Sequence, residues 1–156
     1  IYTMRLAKRG ELLTHHKDKA VLTLLKMDNV IEHDCIPVRP DMSLKEMVDV
    51  IARSTRNVFP VLDKRGRLMG LVLLDDIRNI MFRTDLYRRM YVEKFMTIPP
   101  AKITLGESMD RVMKTFDDTG AWNLPVVDKD GIYVGFVSKS KIFNSYRRVL
   151  RHYSDD

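Results

Sequence analysis

The 156-residue chain predicts an α+β fold of two β-α-β-β-α repeats packed as a pseudo-twofold pair. Three observations carry this. Residues 36–82 align without a gap on residues 101–147 at a constant offset of 65, with identity at Ser43/Ser108, Pro60/Pro125, Val61/Val126, Asp63/Asp128, Lys64/Lys129, Gly66/Gly131, Gly70/Gly135, Val72/Val137, Ile77/Ile142 and Asn79/Asn144. Each copy holds one helical stripe and one hairpin signal in the same order. A unit of this size is near the lower limit for an independent core, so the two copies are expected to fold against each other as one module.

In copy 1, Ile36–Arg39 reads as a short strand. Ser43-Leu-Lys-Glu46 is a capping box. Leu44, Met47, Val48 and Ile51 follow at helical spacing. Val58–Asp63 and Leu68–Leu74 read as strands around the turn Asp63-Lys-Arg-Gly66, with Asp and Gly at the ends a tight turn favours. Asp75 is expected to start a helix through Phe82. In copy 2, Lys102–Leu105 is the strand and Met109, Val112, Met113 and Phe116 form the stripe. Asn123–Asp128 and Tyr133–Ser138 flank the turn ending in Gly131. Ser140 is expected to open a last helix to about Tyr153. Outside the repeats, residues 17–32 read as a lead-in helix and 85–96 as a helical connector.

Composition is that of a globular chain, 45% hydrophobic and 31% charged. The net charge of +6 admits nucleic acid or an anionic membrane surface as partner. The basic residues are dispersed, without aromatic interleaving, so a solvated basic surface is the preferred reading and no nucleic-acid partner is expected. Cys35 is the only cysteine, so a disulfide framework is excluded. His33-Asp34-Cys35 lacks further ligands at metal spacing, and no metal is expected. There is no phosphate loop or nucleophile–base motif, so the chain is not expected to be an enzyme.

Each copy carries an apolar-Pro-Val-apolar-Asp strand, a Gly turn, then Gly-apolar-Val and a helix start: Phe59-Pro-Val-Leu-Asp63 with Gly70 to Ile77, and Leu124-Pro-Val-Val-Asp128 with Gly135 to Ile142. This resembles a tandem pair of CBS domains, the Bateman module. The front segment Ile1–Thr14, with Trp122–Asp128 and Phe136–Ile142, is further similar to the cytoplasmic tail of bacterial CLC chloride channels and transporters. That resemblance implies residues 1–16 as a basic membrane-proximal linker, 17–83 as repeat 1 with its lead-in helix, and 84–153 as connector and repeat 2. It implies a homodimeric regulatory module on the cytoplasmic side of the bacterial inner membrane, joined to a membrane-spanning part of the same polypeptide. The alternatives are the CBS regulatory module of a soluble enzyme and a nucleotide-independent dimerisation scaffold.

The CBS resemblance implies AMP, ADP or ATP in a cleft between repeats. The family motif, Gly-apolar-Val-Thr/Ser-x-x-Asp, uses its acid for the ribose hydroxyls. Copy 1 keeps that acid as Asp76 but has Leu73 at the hydroxyl position; copy 2 keeps the hydroxyl as Ser138 but has Lys141 at the acid position. The implied cleft walls are Pro37, Val38, Asn57, Val58 and Phe59 in copy 1, and Ile103, Trp122, Asn123 and Leu124 in copy 2. Two readings stay open at the helix starts. Asp76 is a ribose acid or an acid favoured by the helix dipole, with Asp75 and Ser140 as N-caps. Lys141 holds an anion or lies on a solvated face. Trp122 stacks on a base or serves as a core or dimer contact.

Overall fold

The computed structural model describes residues 26–155. The repeats occupy the predicted order. In repeat 1, α1 (Leu44–Arg53) is followed by the hairpin β1 (Val58–Leu62) and β2 (Leu68–Leu73), then α2 (Leu74–Ile77). A short α3 (Val92–Phe95) leads to β3 (Ile103–Thr104), α4 (Met109–Thr119), the hairpin β4 (Asn123–Val127) and β5 (Tyr133–Ser138), and α5 (Lys139–Asp155). Strand β3 runs parallel to β4, and β4 antiparallel to β5.

Local chemistry accounts for most of these bounds. The capping box at α1 forms in both directions: Ser43 Oγ accepts from the Glu46 amide, and Glu46 Oε1 from the Ser43 amide, each at 3.2 Å. In α4 the equivalent of Glu46 is Arg111, and only the Ser108 half of the cap remains. Both hairpins turn at a glycine of positive φ, 84° at Gly66 and 83° at Gly131. Asp63 Oδ1 accepts from the Arg65 and Arg67 amides at 2.8 and 2.9 Å, and Asp128 Oδ1 from those of Asp130 and Ile132 at 2.8 and 3.0 Å. The Arg67 amide above all holds the Asp63 carboxyl below the usual carboxylate range.

Four expectations are corrected. The strand at Ile36–Arg39 is reduced to a single parallel bridge, Val38 to Val61; Pro37 and Pro40 lack the amides that would extend a ladder. The helix expected from Asp75 to Phe82 stops at Ile77, with Leu73, not Asp75, at its N-cap and no side-chain cap bond. Ser138, not Ser140, caps α5, its Oγ accepting from the Lys141 amide at 3.1 Å, and this capped helix runs 17 residues. The connector is no continuous helix: the Leu44 amide donates to Met90 O and the Val92 amide to Met42 O, both at 2.8 Å, which draws this backbone out to close the start of α1. The lead-in helix lies mostly outside the described residues. Within them, Met27–Asn29 is one 3-10 turn and Glu32 is extended.

The repeats are joined by exchange. Glu32, ahead of repeat 1, pairs with Phe136 on β5 of repeat 2, while Thr97, ahead of repeat 2, pairs with Leu71 on β2 of repeat 1. Each pair is made by two amide bonds, at 2.7 and 2.9 Å for Glu32–Phe136 and 2.7 Å twice for Thr97–Leu71. At the centre Arg67 bridges Ile132, its own counterpart at offset 65, and the two turns clasp through Leu68 N–H to Gly131 O (3.1 Å) and Tyr133 N–H to Gly66 O (3.0 Å). Each repeat has its own apolar core. A third cluster, Cys35, Leu68, Leu71, Val127 and Phe136, closes the seam between them. Burial pushes the Cys35 thiol up to about 11, so it stays protonated there.

Candidate functional site

The exchanged lead-in of repeat 1 places a cleft beside α5, the helix that follows the second hairpin. At the start of α5, Lys141 lines an open cleft of about 480 Å³ with Ile31, Glu32, His33 and Asp34, within the usual range for small-molecule sites. The edge pairing of Glu32 on β5 brings these residues there. Arg56, in the loop before β1 of the same repeat as Glu32 and Asp34, reaches them from behind the cleft. Its Nη1 donates to Glu32 Oε2 at 2.9 Å and to Asp34 Oδ1 at 2.6 Å. Arg56 and Glu32 keep 20% and 21% of their side-chain surface exposed, against 58% for Asp34, so Asp34 is the open acid of the three. The His33 Nδ1 lies 3.1 Å from Val134 O, which seats the ring against β5.

The matching place in repeat 1 is chemically poorer. At the same offset Thr97, Ile98 and Pro99 stand for Glu32, His33 and Asp34, Ala121 for Arg56, and Asp76 for Lys141. Asp76 is exposed in the first turn of α2, and Ile98 is 74% exposed.

The other positions named from the sequence divide by burial. Val38 and Phe59 are buried in the core of repeat 1, and Ile103 and Leu124 in that of repeat 2; inward strand positions spend their side chains on the repeat cores, and these four do not present them to a cleft. Val58 packs at the seam. Pro37, Asn57, Trp122 and Asn123 are exposed. Asn57 and Trp122 sit beside the helix starts, their carbonyls accepting from the Leu74 and Lys139 amides at 2.9 Å. Trp122 is 64% exposed, which removes the core reading and leaves base stacking and a dimer contact open; Lys139 Nζ lies 5.4 Å from its ring centroid, a cation–π contact. Ser138 is buried and its hydroxyl serves the helix cap.

Sequence reasoning missed Glu32, Asp34 and Arg56 as cleft residues. The His33-Asp34-Cys35 run stood out, but only the exchanged lead-in joins it to Lys141. Among the described residues, no group of three or more His, Cys, Asp or Glu side chains is placed to hold a metal ion. No described helix is long and apolar enough to cross a membrane.

The CBS domain family model matches the chain twice, at residues 27–83 and 92–148. The chain belongs to the CBS domain family. As a CBS pair it is 27% identical over 106 residues to an inosine-5′-monophosphate dehydrogenase of Aquifex aeolicus, a match that spans 66% of this chain but only 21% of that protein. Among solved structures, the cytosolic domain of the Mg2+ channel MgtE in complex with ATP is similar at a TM-score of 0.64 and 22% identity, over 76% of this chain and 48% of that one. CbpB in complex with c-di-AMP is similar at a TM-score of 0.71 and 15% identity, over 89% and 95%. These likenesses establish the fold.

Proposed function

We propose that this CBS pair is a regulatory module that takes an adenine nucleotide, AMP, ADP or ATP, in a cleft between its repeats. The observation that carries the reading is the cleft of about 480 Å³ at Lys141, whose charged lining comes from both repeats. The ATP of MgtE and the c-di-AMP of CbpB, held by chains of similar fold, support an adenine ligand. Because both repeats line the cleft, a ligand that prefers one relative setting of the repeats shifts the population toward it, by its differential affinity and no more.

We further propose that the module dimerises and serves as the cytoplasmic part of a CLC-type chloride channel or transporter. The similarity of Ile1–Thr14 and of the two motif stretches of repeat 2 to CLC tails supports this. The likeness to the dehydrogenase favours a second reading, a regulatory module of a soluble enzyme. The coding sequence upstream of Ile1 separates them: membrane-spanning helices support the first and a polar catalytic domain the second.

The nucleotide reading is tested by thermal unfolding with AMP, ADP and ATP in turn. A ligand at 100 times its dissociation constant should add about 2.7 kcal/mol. No shift with any of the three at millimolar concentration would leave the module a dimerisation scaffold.

A further inference from the structure

The cleft beside α5 lacks the acid expected on its own helix. Position 141 is a lysine where the motif asks for a carboxylate. Two carboxylates nevertheless stand in that cleft, brought by the lead-in of the other repeat: Glu32 and Asp34, opposite Lys141. We propose that the Lys141 cleft binds a nucleoside phosphate by a division of labour, with Asp34 accepting from the ribose diol and Lys141 neutralising the phosphate. This rests on the nucleotide reading above and names its groups.

The geometry supports each role. Arg56 Nη1 engages one oxygen of Asp34, Oδ1, at 2.6 Å, which fixes the carboxylate and leaves Oδ2 outside that bond. Asp34 keeps over half of its side-chain surface open, while the half-buried Glu32 ties Arg56 from behind. Arg56 is therefore a positioning residue. Lys141 is exposed at the third position of α5, where the helix dipole favours an anion and the lysine adds a full positive charge. The amide of Lys141 is already given to Ser138 Oγ, so the side chain is the group that meets the phosphate. At the matching place in repeat 1, Pro99 and Ala121 replace Asp34 and Arg56 and no such set can form.

Calorimetric titration of the whole 156-residue chain with ATP, 2′-deoxy-ATP and adenosine tests this. The unaltered chain should bind ATP roughly tenfold or more tighter than either analogue, the scale of one charge-assisted hydrogen bond. Asp34→Asn should erase the preference for ATP over 2′-deoxy-ATP and keep the preference over adenosine. Lys141→Ala should do the reverse. Asp34→Glu, which retains the charge, should recover part of the diol preference and guards against a loss due to misfolding. If ATP binds and both preferences survive in Asp34→Asn and Lys141→Ala, or are lost only in Asp76→Ala, the assignment is overturned while the nucleotide reading stands. If no nucleotide binds the unaltered chain, both fall together.

Discussion

Phe136→Ala should cost the chain about 3–4 kcal/mol of stability, near the lower end of the range for a buried phenylalanine. Phe136 is 1% exposed and is the largest side chain of the seam cluster. Its ring meets that of Tyr133 edge-on, with centroids 5.9 Å apart at 62°. Its backbone carries both bonds to Glu32, so the cavity would open where one repeat grips the lead-in of the other. One term offsets the loss. The Tyr133 hydroxyl is buried without a hydrogen-bond partner among the described residues, and burial raises its pKa; water entering the new cavity would satisfy it. Urea denaturation measures the effect. A loss below about 1 kcal/mol would mean that the seam is not packed as described.

Gly135→Ala should destabilise the chain by about 2–3 kcal/mol and lower its midpoint by roughly 5–10 °C. The glycine is not needed for its conformation, since its φ is not positive. It is needed for close approach. A Cβ there would lie 2.5 Å from Glu32 O and 2.6 Å from Ile31 Cγ2. Glu32 O already accepts from the Phe136 amide at 2.9 Å, so the backbone can yield only by breaking the exchange. Gly70→Ala meets Thr97 O at 2.8 Å and the flexible Met96 side chain at 3.2 Å, and its effect should be smaller. Thermal unfolding of both variants checks the order; a neutral Gly135→Ala would refute the tight lead-in contact.

The same glycines show how much of the fold was legible in the sequence. Their recurrence at offset 65 marked a hairpin, and the hairpins, the capping box and the Asp–Gly turns are local features with short-range causes. The partner that makes Gly135 obligatory is Glu32, far from it in sequence, and nothing local announces that pairing. The errors share this origin. The connector loses its helix because its Met90 O accepts from the Leu44 amide and its Val92 amide donates to Met42 O, at the start of α1. Helix α2 ends at Ile77 and has no side-chain cap at Leu73, whereas Ser138 caps the long α5. The candidate site divides likewise: Lys141 and Asp76 were visible through the motif, whereas Asp34 and Arg56 enter only through the exchange. Val38, Phe59, Ile103 and Leu124 lie on or beside the strands the motif names, with their side chains turned to the repeat cores.

Amide hydrogen exchange tests the exchanged lead-ins most directly. The amides of Leu71 and Phe136 donate to Thr97 O and Glu32 O, outside their own hairpins. If the exchange holds the two repeats as one body, both amides should exchange only through global unfolding, with the same protection as the core amides of Val61 and Val126. If Leu71 or Phe136 exchanged orders of magnitude faster while Val61 and Val126 stayed protected, the lead-ins would be opening independently of the repeats, and the cleft at Lys141 could not be the fixed site described.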